Sequence, residues 1–313
     1  MDLALILGKQ VCSMLIYIIA GFIAYRKNLV SIEQSKGFSS ALMYIFAPCM
    51  LFQSFQRDFE MEKLQGLLFA TIASLIANFF FVLIAKYVFI RKETATAPTE
   101  RSSVVYTNAG YMAIPLIGAA FGMEAIFYST GYLIVFNIFL WTHCLFQISG
   151  DKSQISFKKV IFNPSIIAIF LGLLAFIFGL RLPTIISTAT IGMSNLVAPL
   201  SLFIIGIILG SVKFKELFSQ KRVYYIVALR LIVFPLLLLI FFKAIHFTSI
   251  IPNGKGILTI VLVAAYAPIA TSVSVFCQQF DKDAKYASKL ITISTCLCVI
   301  SMPIMLAISQ FIL

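Results

Sequence analysis

Two prolines stand in the middle of apolar runs, each among residues that suit an interrupted helix. Pro115 lies in "NAGYMAIPLIG", downstream of Asn108, Gly110 and Tyr111. Pro268 lies in "AAYAPIATSVS", beside Tyr266, Thr271, Ser272 and Ser274. Proline has no N–H, and its ring crowds the carbonyl one turn back, so it kinks or breaks a helix. In hydrocarbon a freed backbone group needs a partner, and irregular backbone survives only inside protein or along a water-filled cavity. Two broken helices would aim half-helix N-termini into the molecule, and such ends favour anions. The predicted chemistry is therefore binding of an anion by amides and hydroxyls.

Arg230 is the one strongly charged residue deep within an apolar run, in "IVALRLIVFPLLLL", about 12 Å beyond Arg222 by helical rise. A guanidinium grips a carboxylate bidentately, so an organic anion is a natural partner. The alternative is an Arg that snorkels to the interface. All twelve acidic residues fall near the ends of apolar runs, so none is placed to pair with Arg230. His143, in "LWTHCLF", is the one candidate proton relay, against the plainer reading of a hydrogen-bonded structural His. Asn78, Asn137 and Gln53 are further polar residues inside runs; they line the pathway or, on the plainer reading, hydrogen-bond between helices. No GxSxG, Walker or HExxH motif is present, and an ATP-driven pump would need a nucleotide-binding domain.

These residues need elements to hold them, and the composition says which. The chain is 61% hydrophobic and 12% charged, with mean hydropathy +1.01. Soluble domains average about 25% charged residues, so lipid is the solvent this chain is built for. Ten apolar runs can be drawn, at 3–25, 37–56, 64–90, 101–122, 124–148, 160–180, 189–211, 222–245, 255–280 and 286–312. Pro268 is then roughly 20 Å from both Lys255 and Asp281, near the middle of its span. The opening "MDLALIL" lacks a positively charged stretch and a small-residue cleavage site, and reads as the start of a retained first helix. Cys12, Cys49, Cys144, Cys277, Cys296 and Cys298 all lie in apolar runs and read as small buried hydrophobes. Gly206 and Gly210 have the spacing of a close helix contact.

The net charge of +12 is spread in twos and threes between runs, which excludes a nucleic-acid-binding module. Of the 24 Lys and Arg, 17 fall in the odd-numbered connections and 6 in the even ones or the N-terminal end, with Arg230 left over. Positive connections face the cytoplasm, so both termini are expected outside. Pro48 and Pro199 are 151 residues apart, and Pro115 and Pro268 are 153 apart. A recurring offset suggests a duplication. A unit of five spans places its second copy upside down, the inverted repeat of many secondary transporters. The expected fold is all-α and membrane-integral, with ten transmembrane helices. Residues 1–148 form the first repeat, 149–159 the cytoplasmic connection and 160–313 the second.

The stretches "YIFAPCMLFQSF", "TNAGYMAIPLIGAAFG", "LVAPLSLFIIGIILG", "LRLIVFPLLL" and "AAYAPIATSVSVFCQQF", in this order, resemble the auxin efflux carrier family in its bacterial branch. That family sits in the bile/arsenite/riboflavin transporter superfamily and is similar in architecture to bile-acid and sodium/proton antiporters. The resemblance implies discontinuous crossing helices in the fourth and ninth spans. It implies a scaffold of spans one, two, six and seven, and a mobile transport domain of spans three to five and eight to ten. It also implies cargo such as malate, malonate, lactate or auxin-like carboxylates in a plasma membrane. Asn108, Pro115 and Pro268 carry over as site residues, followed by Thr271 and Ser272; Tyr111 is bulkier than the pattern leads one to expect.

The full expected site is Asn108, Gly110, Tyr111, Pro115, Arg230, Tyr266, Pro268, Thr271 and Ser272. No cofactor is expected, with sodium or protons as candidate coupling ions. The partners are a small organic anion and membrane lipid, with room for a homodimer. A channel or a membrane-embedded receptor is the competing reading, and neither needs trans-acceleration. The topology has its own test: tags on both termini should be digested by protease added outside intact cells, and protection of both would reverse the orientation.

Overall fold

A computed structural model describes residues 15–89, 94–211 and 221–313 of the chain. Cys12 and the start of the first run, the charged stretches at 90–93 and 212–220, and the Tyr111 side chain lie outside the described residues.

The described residues are helical apart from connections and one isolated bridge. The helices are α1 Leu15–Arg26, α2 32–54, α3 Met61–Val88, α4 Ala97–Val105, α5 109–121, α6 Met123–Ser149 and α7 Phe157–Ile161. They continue as α8 Pro164–Ile177, α9 Thr184–Ser211, α10 Lys221–Ala244, α11 Gly254–Ala265, α12 Thr271–Gln279 and α13 Ala284–Ile312. They fall on all ten predicted runs. Five of them (α3, α6, α9, α10 and α13) are each long and apolar enough to cross a membrane, and the segment 152–161 with α8, bent by 47°, makes a sixth. The fourth and ninth runs are split into α4–α5 and α11–α12, so no single helix there has the length. The first turns of α2 carry Glu33, Gln34, Ser35 and Lys36, and they start at a capping box between Ser31 and Gln34.

The outer surface is the surface of a protein in lipid. Along α3, Leu68, Ile72, Leu75, Phe79 and Leu83 are exposed on one face, while Ala70, Ala73, Ala77 and Ala85 are buried on the other. The large apolar side chains point out and the small ones let helices approach, the reverse of a soluble helix.

The helices pack in two groups. α2 packs on α8 and α9. α1 lies against α9 through Gly21, Gly206 and Gly210, so the predicted glycine contact is real. A Cβ on Gly206 would fall 2.0 Å from the Ile18 carbonyl oxygen. In the other group α3 packs on α6 and α11, and α13 packs on α10, α11 and α12. Phe80 and Phe81 of α3 meet Phe241 and Phe234 of α10 at 4.8 and 5.7 Å between ring centroids.

Three prolines explain local geometry. π-helical turns occupy Leu42–Phe46, Ala109–Ala113 and Leu229–Val233, each ending two residues before Pro48, Pro115 or Pro235. In each, the N–H just before the proline reaches the carbonyl five residues back, which opens the turn the ring would otherwise crowd. Pro199 and Pro303 stay inside continuous α-helix. The expected break at Pro115 is therefore misplaced: Pro115 sits in helical backbone, and the interruption falls at Tyr106–Asn108. Pro268 does lie in the interruption of the ninth run, at residues 266–270.

The glycine contact carries a prediction. Gly206→Ala forces α1 away from α9 and should cost about 1–3 kcal/mol of stability, an overpacking penalty. Gly192→Ala, with nothing within 4 Å of the added methyl, should melt like the parent protein in detergent.

Candidate functional site

The two interruptions meet. Thr107 and Ile269 form an antiparallel bridge. The Asn108 N–H donates to the Pro268 carbonyl at 2.7 Å, and the Ala270 N–H donates to the Tyr106 carbonyl at 3.0 Å. Each break thus satisfies the other's backbone where lipid could not. Side chains add to this: Ser294 Oγ accepts from the Ile269 N–H at 3.2 Å, and the Thr107 hydroxyl lies 3.2 Å from the Tyr132 hydroxyl.

Four helix ends converge here, and they are served differently. α4 and α11 arrive by their C-termini, where free carbonyls carry partial negative charge. Arg230 covers them. Its Nη1 donates to the Val104 carbonyl at 3.1 Å, and its Nη2 donates to those of Ala265 at 2.5 Å and Ala267 at 2.9 Å. Nε also reaches Ala267, at 3.1 Å. The residue is fully buried, with its guanidinium 5.2 Å over the Phe81 ring. The π-turn at Leu229–Val233 carries it.

α5 and α12 leave by their N-termini, and neither has a side-chain cap. First-turn amides have no intrahelical acceptor. Here they border a cavity of about 90 Å³ lined by Asn108, Gly110, Thr271 and Ser272. Leu42, Met43 and Ala47 of α2 and Asn163 and Ser165 at the start of α8 close it from the other helix group. No ionisable side chain is among its described lining residues, so the field they set up comes from helix ends and neutral dipoles.

Four of the nine expected site residues therefore line one cavity. Pro268 contributes a bridge carbonyl instead. Pro115 is buried in α5 and does not line the cavity. Tyr266 is turned into the core, its hydroxyl 2.7 Å from Ser309 Oγ. Arg230 backs the crossover with its donors on carbonyls. Ser274 joins α12 to α13 through Ser288, and Gln53 accepts from Thr190 of α9. Asn78 bonds the Ser74 carbonyl within α3.

Asn163, Trp141 and the burial of Glu100 were not legible, whereas Asn137 and His143 make the kind of hydrogen bond expected of them. Asn163 Nδ2 donates to Asn137 Oδ1 at 3.3 Å, joining the two helix groups at the cavity wall. Trp141 lines the cavity, and its indole N–H is buried without a partner. His143 Nδ1 lies 2.6 Å from the Tyr106 hydroxyl, which ties it to the break. Glu100, near a run end, is nonetheless buried and takes bonds from Arg222 and from the Tyr286 hydroxyl.

Apolar helices, two of them interrupted and joined back to back beside a small neutral cavity, are the architecture of a helical membrane protein. The family model for membrane transport proteins matches residues 6–306. The chain belongs to that family, the auxin efflux carrier family its motifs resemble, and is a multi-pass membrane transporter. An uncharacterised transporter of Methanothermobacter thermautotrophicus is 24% identical over 310 residues, 95% of this chain and 96% of that one. A lysosomal cholesterol signaling protein of Mus musculus is 21% identical over 315 residues, 92% of this chain but 35% of its own length.

The Arg230 geometry predicts the outcome of its removal. Arg230→Ala strands three buried carbonyls and should cost about 3 kcal/mol or more, seen as a lowered melting temperature. Arg230→Lys should be milder and should bind organic anions as the parent does. Weakened binding at parental stability would make Arg230 a ligand.

Proposed function

We propose that this protein is a secondary active carrier of small organic anions, of the malate, malonate or lactate kind and extending to auxin-like acids. The observation that carries this reading is the cavity bordered by two uncapped helix N-termini. An anionic carboxylate there takes up amide donors that lack acceptors, while the opposing C-termini are neutralised by Arg230. Asn108, Thr271 and Ser272 supply side-chain polarity for the rest of the ligand.

The proposed motion is elevator-type alternating access. Its support is that the cavity lies between the two helix groups. α1, α2, α8 and α9 form the scaffold, and α3–α6 with α10–α13 form the moving body, the crossover being internal to the latter. Among the described residues the neutral Asn137–Asn163 bond joins the two groups at the cavity, a contact weak enough to exchange. The membrane is proposed to be the plasma membrane with both termini outside, from the charge count. The inverted repeat belongs to the same proposal, with the crossover as its meeting point.

Counterflow in proteoliposomes is the test. Unlabelled anion on the far side should accelerate exchange of labelled malonate, malate or lactate, with or without imposed sodium or proton gradients to identify the coupling ion. High flux without trans-acceleration would indicate a channel. Gly110→Ala adds a methyl whose nearest neighbour is Leu133 Cδ2 at 3.8 Å, so it should fold normally and shrink the site. Asn108→Ala should weaken binding about tenfold through one lost hydrogen bond. Parental exchange in both variants would move the cargo elsewhere.

A further inference from the structure

A second cavity opens where α6 runs into the 150–156 connection, on the face the charge count assigns to the cytoplasm. It measures about 360 Å³ and lies between the last turn of α3, α4 and the end of α6. Lys86, Arg101, His143 and Gln147 are its polar lining, and no Asp or Glu is among its described lining residues.

Arg101 is held in place yet left partly unspent, and Lys86 beside it makes no ion pair among the described residues. Arg101 gives Nη2 to the Phe89 carbonyl at 2.9 Å, which caps α3 and fixes the guanidinium. Its Nε is buried with no hydrogen-bond partner. A buried donor without an acceptor is costly and calls for one. His143 has Nδ1 engaged by Tyr106, so Nε2 is the nitrogen it can offer a ligand. The neighbouring acid, Glu100, is held by Arg222 and Tyr286 and is one of the groups not lining the cavity.

We propose that this cavity is a second anion site, separate from the crossover, for one carboxylate or phosphate group. Arg101 supplies a fork of donors, Lys86 a point charge and His143 a third contact. The site communicates with the crossover through Tyr106. That residue meets His143 with its hydroxyl and accepts the Ala270 N–H with its carbonyl, in the bridge itself. An anion that engages His143 thus bears on the residue that pins the two broken helices together. The same oxyanion chemistry is carried by free solutes and by phospholipid headgroups.

The experiment uses full-length protein in nanodiscs. In phosphatidylcholine alone, malonate and inorganic phosphate are titrated; with phosphatidylglycerol added, retained lipid is counted by native mass spectrometry. In the Asn108→Ala protein, whose crossover site is weakened, one binding event with malonate, phosphate or phosphatidylglycerol should keep its parental affinity. Lys86→Gln and Arg101→Gln should each weaken that event about tenfold, the loss of one charge-assisted hydrogen bond. Binding of malonate or phosphate in the neutral bilayer identifies a soluble ligand, and retained phosphatidylglycerol alone identifies a headgroup. Tyr106→Phe should leave this binding intact and remove its influence on malonate affinity at the crossover. If Arg101→Gln unfolds, Lys86→Gln decides, since Lys86 takes no part in the bond that caps α3. Parental binding of malonate, phosphate and phosphatidylglycerol by folded Lys86→Gln protein overturns the proposal, whatever the fate of the crossover site.

Discussion

A helix interrupted in hydrocarbon leaves backbone groups that water cannot reach, and everything distinctive here follows from how they are satisfied. The two interruptions answer each other through the Asn108–Pro268 and Tyr106–Ala270 bonds. Arg230 answers the carbonyls at the ends of α4 and α11. What remains is the pair of N-termini, and they face the cavity. The crossover is thus polarised, with a protein cation on its C-terminal side and a cavity on its N-terminal side. One buried charge stabilises the break and, on the proposed reading, leaves the N-terminal side to an anion.

The ten runs were legible because lipid-facing helices are apolar all along their length, and the charge between them marks the connections. The position of the fourth-run break was not. A proline is the natural mark of a break, but a π-turn lets Pro115 sit in helical backbone, as it does for Pro48 and Pro235. The break at Tyr106–Asn108 contains no proline and is held by partners about 160 residues away in sequence. Local propensity cannot reveal such a cause.

The site divides the same way. Asn108, Gly110, Thr271 and Ser272 were legible because each stands beside an interruption in its own run. The role of Arg230 was not, since backbone carbonyls leave no mark in a sequence and an unpaired Arg invites an anion. Asn163 and Ser165 begin a different helix and reach the cavity only through packing. Glu100 was read as one more acid at a run end, although its surroundings bury it against Arg222 and Tyr286.

On the proposed reading, the rigid parts and the exchanging part are separated. The glycine contact of α1 with α9 and the aromatic contacts of α3 with α10 hold each helix group together, while neutral side chains meet between them. The most direct test of the central claim is amide hydrogen exchange of the whole protein, with and without a saturating organic anion. Protection should rise at residues 109–111 and 271–272, the amides at the two uncapped helix N-termini. An anion that binds while leaving those amides unprotected would contradict the account.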